Sequence, residues 1–184
     1  MADTAYVAFL RGINVGGHTI KMDDLKKKFE SFGFKNVKTL LASGNVIFET
    51  SEKDVTALKK KIEEKLKAVY GYDIETMLRS ENQISELIHS DPFQKIPVTK
   101  MTRLYITFLA EKPNSTLQIP YISPQKDFTI LKVTDDVIVS HLELIARGTI
   151  DAMNIVEKEY GKKVTTRNWN TVLRIGKVLG DPSR

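Results

Sequence analysis

The order in which apolar periodicities follow one another over residues 6–78 constrains this chain more than any other feature it has. Tyr6-Val7-Ala8-Phe9-Leu10 is a short apolar run bounded by Arg11-Gly12, the pattern of a buried strand. Met22, Leu25, Phe29 and Phe32 then recur at helical spacing, with Asp23 and Asp24 in the first turn, where the dipole favours them, and Gly33 at the stop. Two strand-like runs, Val37 to Ala42 and Val46 to Thr50, flank Ser43-Gly44-Asn45, and Gly44-Asn45 as a two-residue loop suits a type II′ hairpin turn. A second helix carries its apolar stripe on Val55, Leu58, Ile62, Leu66 and Val69 and ends at Gly71. Ile74 to Leu78 closes the series as a strand.

Strand, helix, strand, strand, helix, strand is the ferredoxin-like βαββαβ unit, an antiparallel sheet covered on one face by two helices. An α+β protein is therefore expected, with residues 1–80 as its first unit. The alternation of directions puts the loop after the first strand and the turn at Ser43-Gly44-Asn45 at one end of the sheet. Residues 81–184 repeat the theme less cleanly. A short helix over Ile84 to His89 precedes a strand from Leu104 to Leu109, and a Pro-bounded connection runs from Pro113 to Pro124. A hairpin follows, Phe128 to Val133 with Val137 to His141, turned at Thr134-Asp135-Asp136. Two helices finish the chain, one with Met153, Val156 and Tyr160 inward, the other with Trp169, Val172, Leu173 and Leu179 inward. No final strand is visible, so the second unit, 81–184, is expected to be a degenerate ferredoxin-like unit with extra C-terminal helices. One mixed sheet wrapped by about five helices is the competing architecture. Ser90 to Lys100, with Asp91-Pro92 and Ile96-Pro97, is the expected connector and is too apolar for a floppy linker.

Composition narrows the chemistry. The chain has 184 residues and no cysteine, which excludes disulfides, thiol nucleophiles and thiolate metal sites. Hydrophobic residues at 41% and charged residues at 28% are the proportions of a folded protein with its own core. Ala5 to Leu10 is too short for a signal-peptide core and has no basic residue before it, and no later stretch approaches a membrane span. The expected location is cytoplasmic, with no membrane partner. Net charge is +5, carried by residues 161–184, where six basic side chains face one acid while residues 1–160 hold 22 of each sign. A basic face attracts nucleic acid or anionic metabolites, although a solvated helix face accounts for these charges more simply.

Arg11-Gly12-Ile13-Asn14-Val15-Gly16-Gly17-His18-Thr19 puts three glycines into a strand-to-helix loop, where backbone N–H groups can meet a phosphate that a Cβ would block. From Gly12 the spacing is that of the P-loop, except that His18 stands in the place of the phosphate-binding lysine. The helix also starts several residues late, and the next strands form a hairpin where a P-loop fold needs a parallel crossover. The dinucleotide fingerprint is absent. Anion binding by the Arg11 fork, the Asn14 amide and the backbone at Gly16 and Gly17 survives, with Ser43 and Asn45 at the same end of the sheet. Against it, the glycines serve a tight turn while Ile13 and Val15 pin the loop to the core.

Thr165-Thr166-Arg167-Asn168-Trp169-Asn170-Thr171 is the second polar concentration. A threonine there serves as a helix N-cap and Trp169 as a core anchor. Equally, Arg167, Asn168 and Asn170 crowd hydrogen-bonding groups around the only tryptophan, where a base or sugar ring could stack. His18, His89 and His141 lie on separate elements without paired spacing, so no metal site is expected. Asp135-Asp136 is what a hairpin turn asks for, and Ser43 lacks both a nucleophile elbow and a base. No cofactor or catalytic residue can be assigned.

Leu10 to Gly17, Met22 with Leu25, Ser43 to Val46, and Thr166 to Trp169 with Thr171 together resemble the signature blocks of the bacterial domain of unknown function 1697 family, over essentially the whole chain. The resemblance implies a bacterial origin, a cytoplasmic location and an α+β fold, and carries no reaction or cofactor with it. It marks Arg11 to Gly17, Ser43 to Asn45 and Arg167 to Trp169 as the candidate site positions. The expected ligand-binding set is Arg11, Asn14, Gly16, Gly17, His18, Ser43, Asn45, Arg167, Asn168 and Trp169, and the expected ligand is phosphorylated, a nucleotide or a nucleic-acid segment. An enzyme using the same pocket, with Arg11 as anchor and His18 as general acid or base, is one alternative. A structural or protein-interaction module is the other.

Overall fold

Seven nearly unbroken apolar residues make β1 (Thr4–Leu10), around which the first half of the chain is organised in the computed structural model, which describes residues 3–145 and 151–180. β2 (Lys35–Leu40), β3 (Asn45–Thr50) and β4 (Thr76–Ser80) complete an antiparallel sheet in the order β2-β3-β1-β4. Tyr6, Ala8 and Leu10 face the core with Leu25 and Phe29 of α1 (Met22–Ser31) and Leu58, Ile62 and Leu66 of α2 (Val55–Tyr70). Val7 and Phe9, on the other face of the strand, are buried as well. Phe29, Phe34 and Phe48 pack as a cluster of rings whose centroids lie 4.4–5.8 Å apart. The element order β1, α1, β2, β3, α2, β4 is the one the periodicities predict. Individual ladders are displaced: β4 begins at Thr76, and Ile74, though buried in the core, precedes the paired residues.

The hairpin between β2 and β3 is not a two-residue type II′ turn. Leu40 pairs with Asn45, which leaves a four-residue connection, Leu41 to Gly44, with Leu41 at φ 60° and Gly44 at φ 75°.

After α3 (Glu81–His89), the second sheet is built from β5 (Thr102–Leu109), β6 (Tyr121–Ile122), β7 (Phe128–Val133), β8 (Val137–Glu143) and β9 (Val164–Asn168). It is antiparallel, in the order β6-β7-β8-β5-β9. The sequence β7-β8-β5-β9 repeats β2-β3-β1-β4 with β5 in the place of β1. There are thus two antiparallel sheets and, among the described residues, five helices, and a single mixed sheet is excluded. Leu109, Phe128, Ile130, Ile138, Leu142 and Val164 form the core under Ala152 and Val156 of α4 (Ala152–Tyr160).

The expectation that no final strand exists is overturned by β9. Val164-Thr165-Thr166-Arg167-Asn168 has one apolar residue, so it carries no hydrophobic signature. It is held instead by its ladder to β5 and by the Thr107 and Thr166 hydroxyls, 2.7 Å apart across the strands. Thr165 and Thr166 consequently sit in a strand and cap nothing, because β9 runs directly into α5 (Trp169–Leu179). On α5 the buried residues are Trp169, Thr171, Val172, Ile175 and Gly176, whereas Leu173 and Leu179 are only half-buried.

The chain forms two compact units, Met1–Glu86 with Ile175–Arg184, and Leu87–Arg174. The sequence division at 80/81 differs from this: β4 passes into α3 with no intervening residue, and both α3 and α5 cross the boundary.

Candidate functional site

The end of β1 is fixed on both sides, Leu10 N–H donating to the Gly44 carbonyl and Arg11 N–H to the Glu75 carbonyl, each at 2.9 Å. Beyond Arg11 the loop is anchored by Ile13 and Ile20, both in the core. Asn14 joins it to its neighbour: Nδ2 donates to the Ala42 carbonyl and Oδ1 accepts the Ile20 N–H, both at 2.7 Å. Its φ of 58° lies in the left-handed region that asparagine tolerates better than most residues. The loop and the 41–44 turn therefore do meet at one end of the sheet.

The backbone of the loop has a regular feature. Gly12, Asn14 and Gly16 have φ of 72°, 58° and 61°, whereas Ile13 and Val15 between them do not, and Gly17 follows at 91°. Alternation of φ sign is the pattern that turns successive N–H groups toward a common point and makes an anion-binding concavity. Among the described residues, the N–H groups of Gly12 to Gly17 donate to no acceptor. Gly12 and the tip from Val15 to His18 are exposed, and Arg11 is half-buried at the base.

Several expected contacts are reassigned. The Asn14 amide works inside the protein and closes the loop. Asn45 is fully buried, its Nδ2 donating to the Leu40 carbonyl at 2.7 Å and to Ser43 Oγ at 3.0 Å, so it closes the 41–44 turn. Val15 is 60% exposed and pins nothing, which leaves that role to Ile13 alone. His18 is exposed and stacks on the Tyr72 ring with centroids 4.1 Å apart. The Tyr72 hydroxyl is buried without a hydrogen-bond partner, and burial raises its pKa.

Arg167 to Trp169 belong to the second unit, whereas the glycine loop belongs to the first. Arg167 is buried in β9, where Nη1 donates to Thr165 Oγ1 at 2.7 Å and to the Thr166 carbonyl at 2.9 Å. Burial pushes its pKa down to about 10, so it remains charged at neutral pH. Trp169 is 6% exposed and packs T-shaped on Phe93 at 5.4 Å, which makes it the core anchor and denies a base its face. Asn168 is exposed. It lines a cavity of about 400 Å³ with Val98, Thr102, Arg103, Leu104, Trp169, Asn170 and Thr171. No local motif marks Arg103 and Thr102 in the sequence, and they lie more than 60 residues from Asn168.

Among the described residues no group of three or more His, Cys, Asp or Glu side chains is placed to hold a metal ion. Nor is any described helix long and apolar enough to cross a membrane.

Residues 4–138 match the model of a family described as "Protein of unknown function (DUF1697)". The solved structure of the conserved bacterial protein SP0830 from Streptococcus pneumoniae is similar, with a TM-score of 0.67 at 19% identity over 97% of this chain and 99% of that one. At that identity the likeness is one of fold. No curated protein matches the chain.

Proposed function

The chain belongs to the DUF1697 family, whose description names no function, and from the site itself we propose that it binds a phosphate-bearing ligand, a nucleotide or a nucleic-acid segment, through the loop Arg11 to Gly17. One observation carries this. Six consecutive N–H groups, Gly12 to Gly17, have no partner among the described residues, on a loop whose φ sign alternates from Gly12 to Gly16, beside an arginine. Backbone donors arranged in this way suit a tetrahedral oxyanion, and the Arg11 guanidinium supplies the charge and a planar fork. Gly16 and Gly17 present that backbone because no side chain covers it. A cytoplasmic location accords with such a ligand.

Amide NMR during titration with inorganic phosphate and with a nucleotide tests this. The Gly12, Gly16 and Gly17 cross-peaks are expected to move saturably, and Arg11→Ala to reduce affinity at least tenfold while leaving the fold intact. Glycine amides that stay still with phosphate, nucleotide and a short RNA alike would overturn it. Marked destabilisation by Arg11→Ala would show that the loop is there to pack.

A further inference from the structure

The second unit holds a cavity whose origin lies in strand register. β9 pairs with β5 from Val164 opposite Leu109 to Asn168 opposite Tyr105, and there the chain turns straight into α5. Thr102, Arg103 and Leu104 therefore keep β8 on one side and, among the described residues, have no strand on the other. The resulting notch has a volume of about 400 Å³, within the usual range for a small-molecule site.

Its lining is fixed and divided in character. Val98, Leu104 and Trp169 supply its apolar part, and Trp169 packs T-shaped on Phe93. Arg103 Nη1 donates to the Lys100 and Thr102 carbonyls at 2.8 and 3.0 Å, which holds the guanidinium while leaving the rest of its fork. Thr171 is only 7% exposed, and among the described residues its hydroxyl has no hydrogen-bond partner. A threonine hydroxyl both donates and accepts, so it can meet a ligand oxygen in this cavity. Asn168 and Asn170 add two carboxamides, each both donor and acceptor, with no partner among the described residues.

We propose that this cavity binds a nucleoside monophosphate. The Arg103 fork takes the phosphate, the Thr171 hydroxyl a phosphate or ribose oxygen, and the carboxamides of Asn168 and Asn170 the base edge, in the donor-acceptor pattern that asparagine offers adenine. Val98, Leu104 and Trp169 cover the ring. The site is confined to the second unit and does not rest on the glycine loop.

Trp169, the only tryptophan, reports on it. Its emission is followed while AMP, CMP, adenosine and inorganic phosphate are added separately. A saturable change is expected with a monophosphate, with adenosine and phosphate each at least tenfold weaker. Thr171→Val and Asn170→Asp are each expected to weaken that binding tenfold or more at unchanged melting temperature, and Arg11→Ala to leave it as it was. Silent emission together with no heat in calorimetric titration of both nucleotides into the Arg11→Ala protein would overturn the proposal. So would wild-type affinity in both variants, or phosphate alone binding as tightly as AMP. Failure here leaves the glycine-amide shifts untouched, because those are read at different residues.

Discussion

Gly44 is constrained twice over. Its φ of 75° is a conformation that side chains rarely adopt, and a Cβ built on it would lie 2.5 Å from Ile13 Cδ1, 2.9 Å from Cγ1 and 3.1 Å from Leu10 Cβ. Ile13 is buried and cannot simply swing away. Gly12 has nearly the same φ, 72°, with open space where its Cβ would go. Gly44→Ala is therefore expected to cost about 2–4 kcal/mol, strain plus overpacking, and Gly12→Ala only about 1 kcal/mol; urea denaturation of the two variants separates them. Equal losses would show that Ile13 yields. Asn14 and Asn45 teach the complementary lesson. Both look like ligand contacts in the sequence, yet whether an amide meets a ligand or a carbonyl 28 residues away depends on the tertiary approach of two loops, which no local pattern records.

Helices were the most legible elements, because their stripes and stops are local. α2 is capped at its start by Asp54, whose side chain accepts the Thr56 and Ala57 N–H groups at 2.9 and 3.0 Å, and at its end by Gly71 in the left-handed region. Removing the cap with Asp54→Ala is expected to cost about 1 kcal/mol, measured as a shift in chemical denaturation midpoint. Strands held by polar ladders were the least legible, as β9 illustrates: Thr165 and Arg167 are buried, but by hydrogen bonding. β8 contributes a pH dependence. His141 is half-buried with Nδ1 unpartnered, and burial holds its pKa below its ordinary 6.5 despite Glu143 Oε1 at 3.8 Å, which pulls the other way. As pH falls below 6.5 the unfolded chain gains a proton before the folded chain does, so stability present at neutral pH is lost through that window. His141→Gln is expected to lose less melting temperature than the parent between about pH 7 and pH 5.5, and an unchanged slope would sink the assignment.

Across the whole molecule, the repeated strand order β2-β3-β1-β4 and β7-β8-β5-β9 was half visible: the second unit lacks a helix between β5 and β7, where the Pro-bounded segment carries only β6, so its periodicities did not announce the repeat. Charge is also distributed differently from its appearance in the sequence. Of the six basic residues in 161–184, Arg167 is buried in β9 and Lys163 is neutralised by Glu111. In the formally neutral remainder, Lys35, Lys59 and Lys67 pair with Asp3, Glu75 and Asp73. A polynucleotide held by several phosphates would draw on several exposed cations, whereas a single phosphate at the glycine loop needs Arg11 and backbone dipoles, which release almost no counterions. The logarithm of the affinity measured through the glycine amides should thus fall with the logarithm of salt at a slope near −1 or shallower, as about one neutralised phosphate requires. A nucleic-acid segment touching five phosphates would give roughly −3.5 or steeper. A steep slope with a short RNA, matched by tighter binding than any nucleotide, would shift the ligand from a small molecule to a nucleic acid; a shallow one leaves the loop as a site for a single phosphate group.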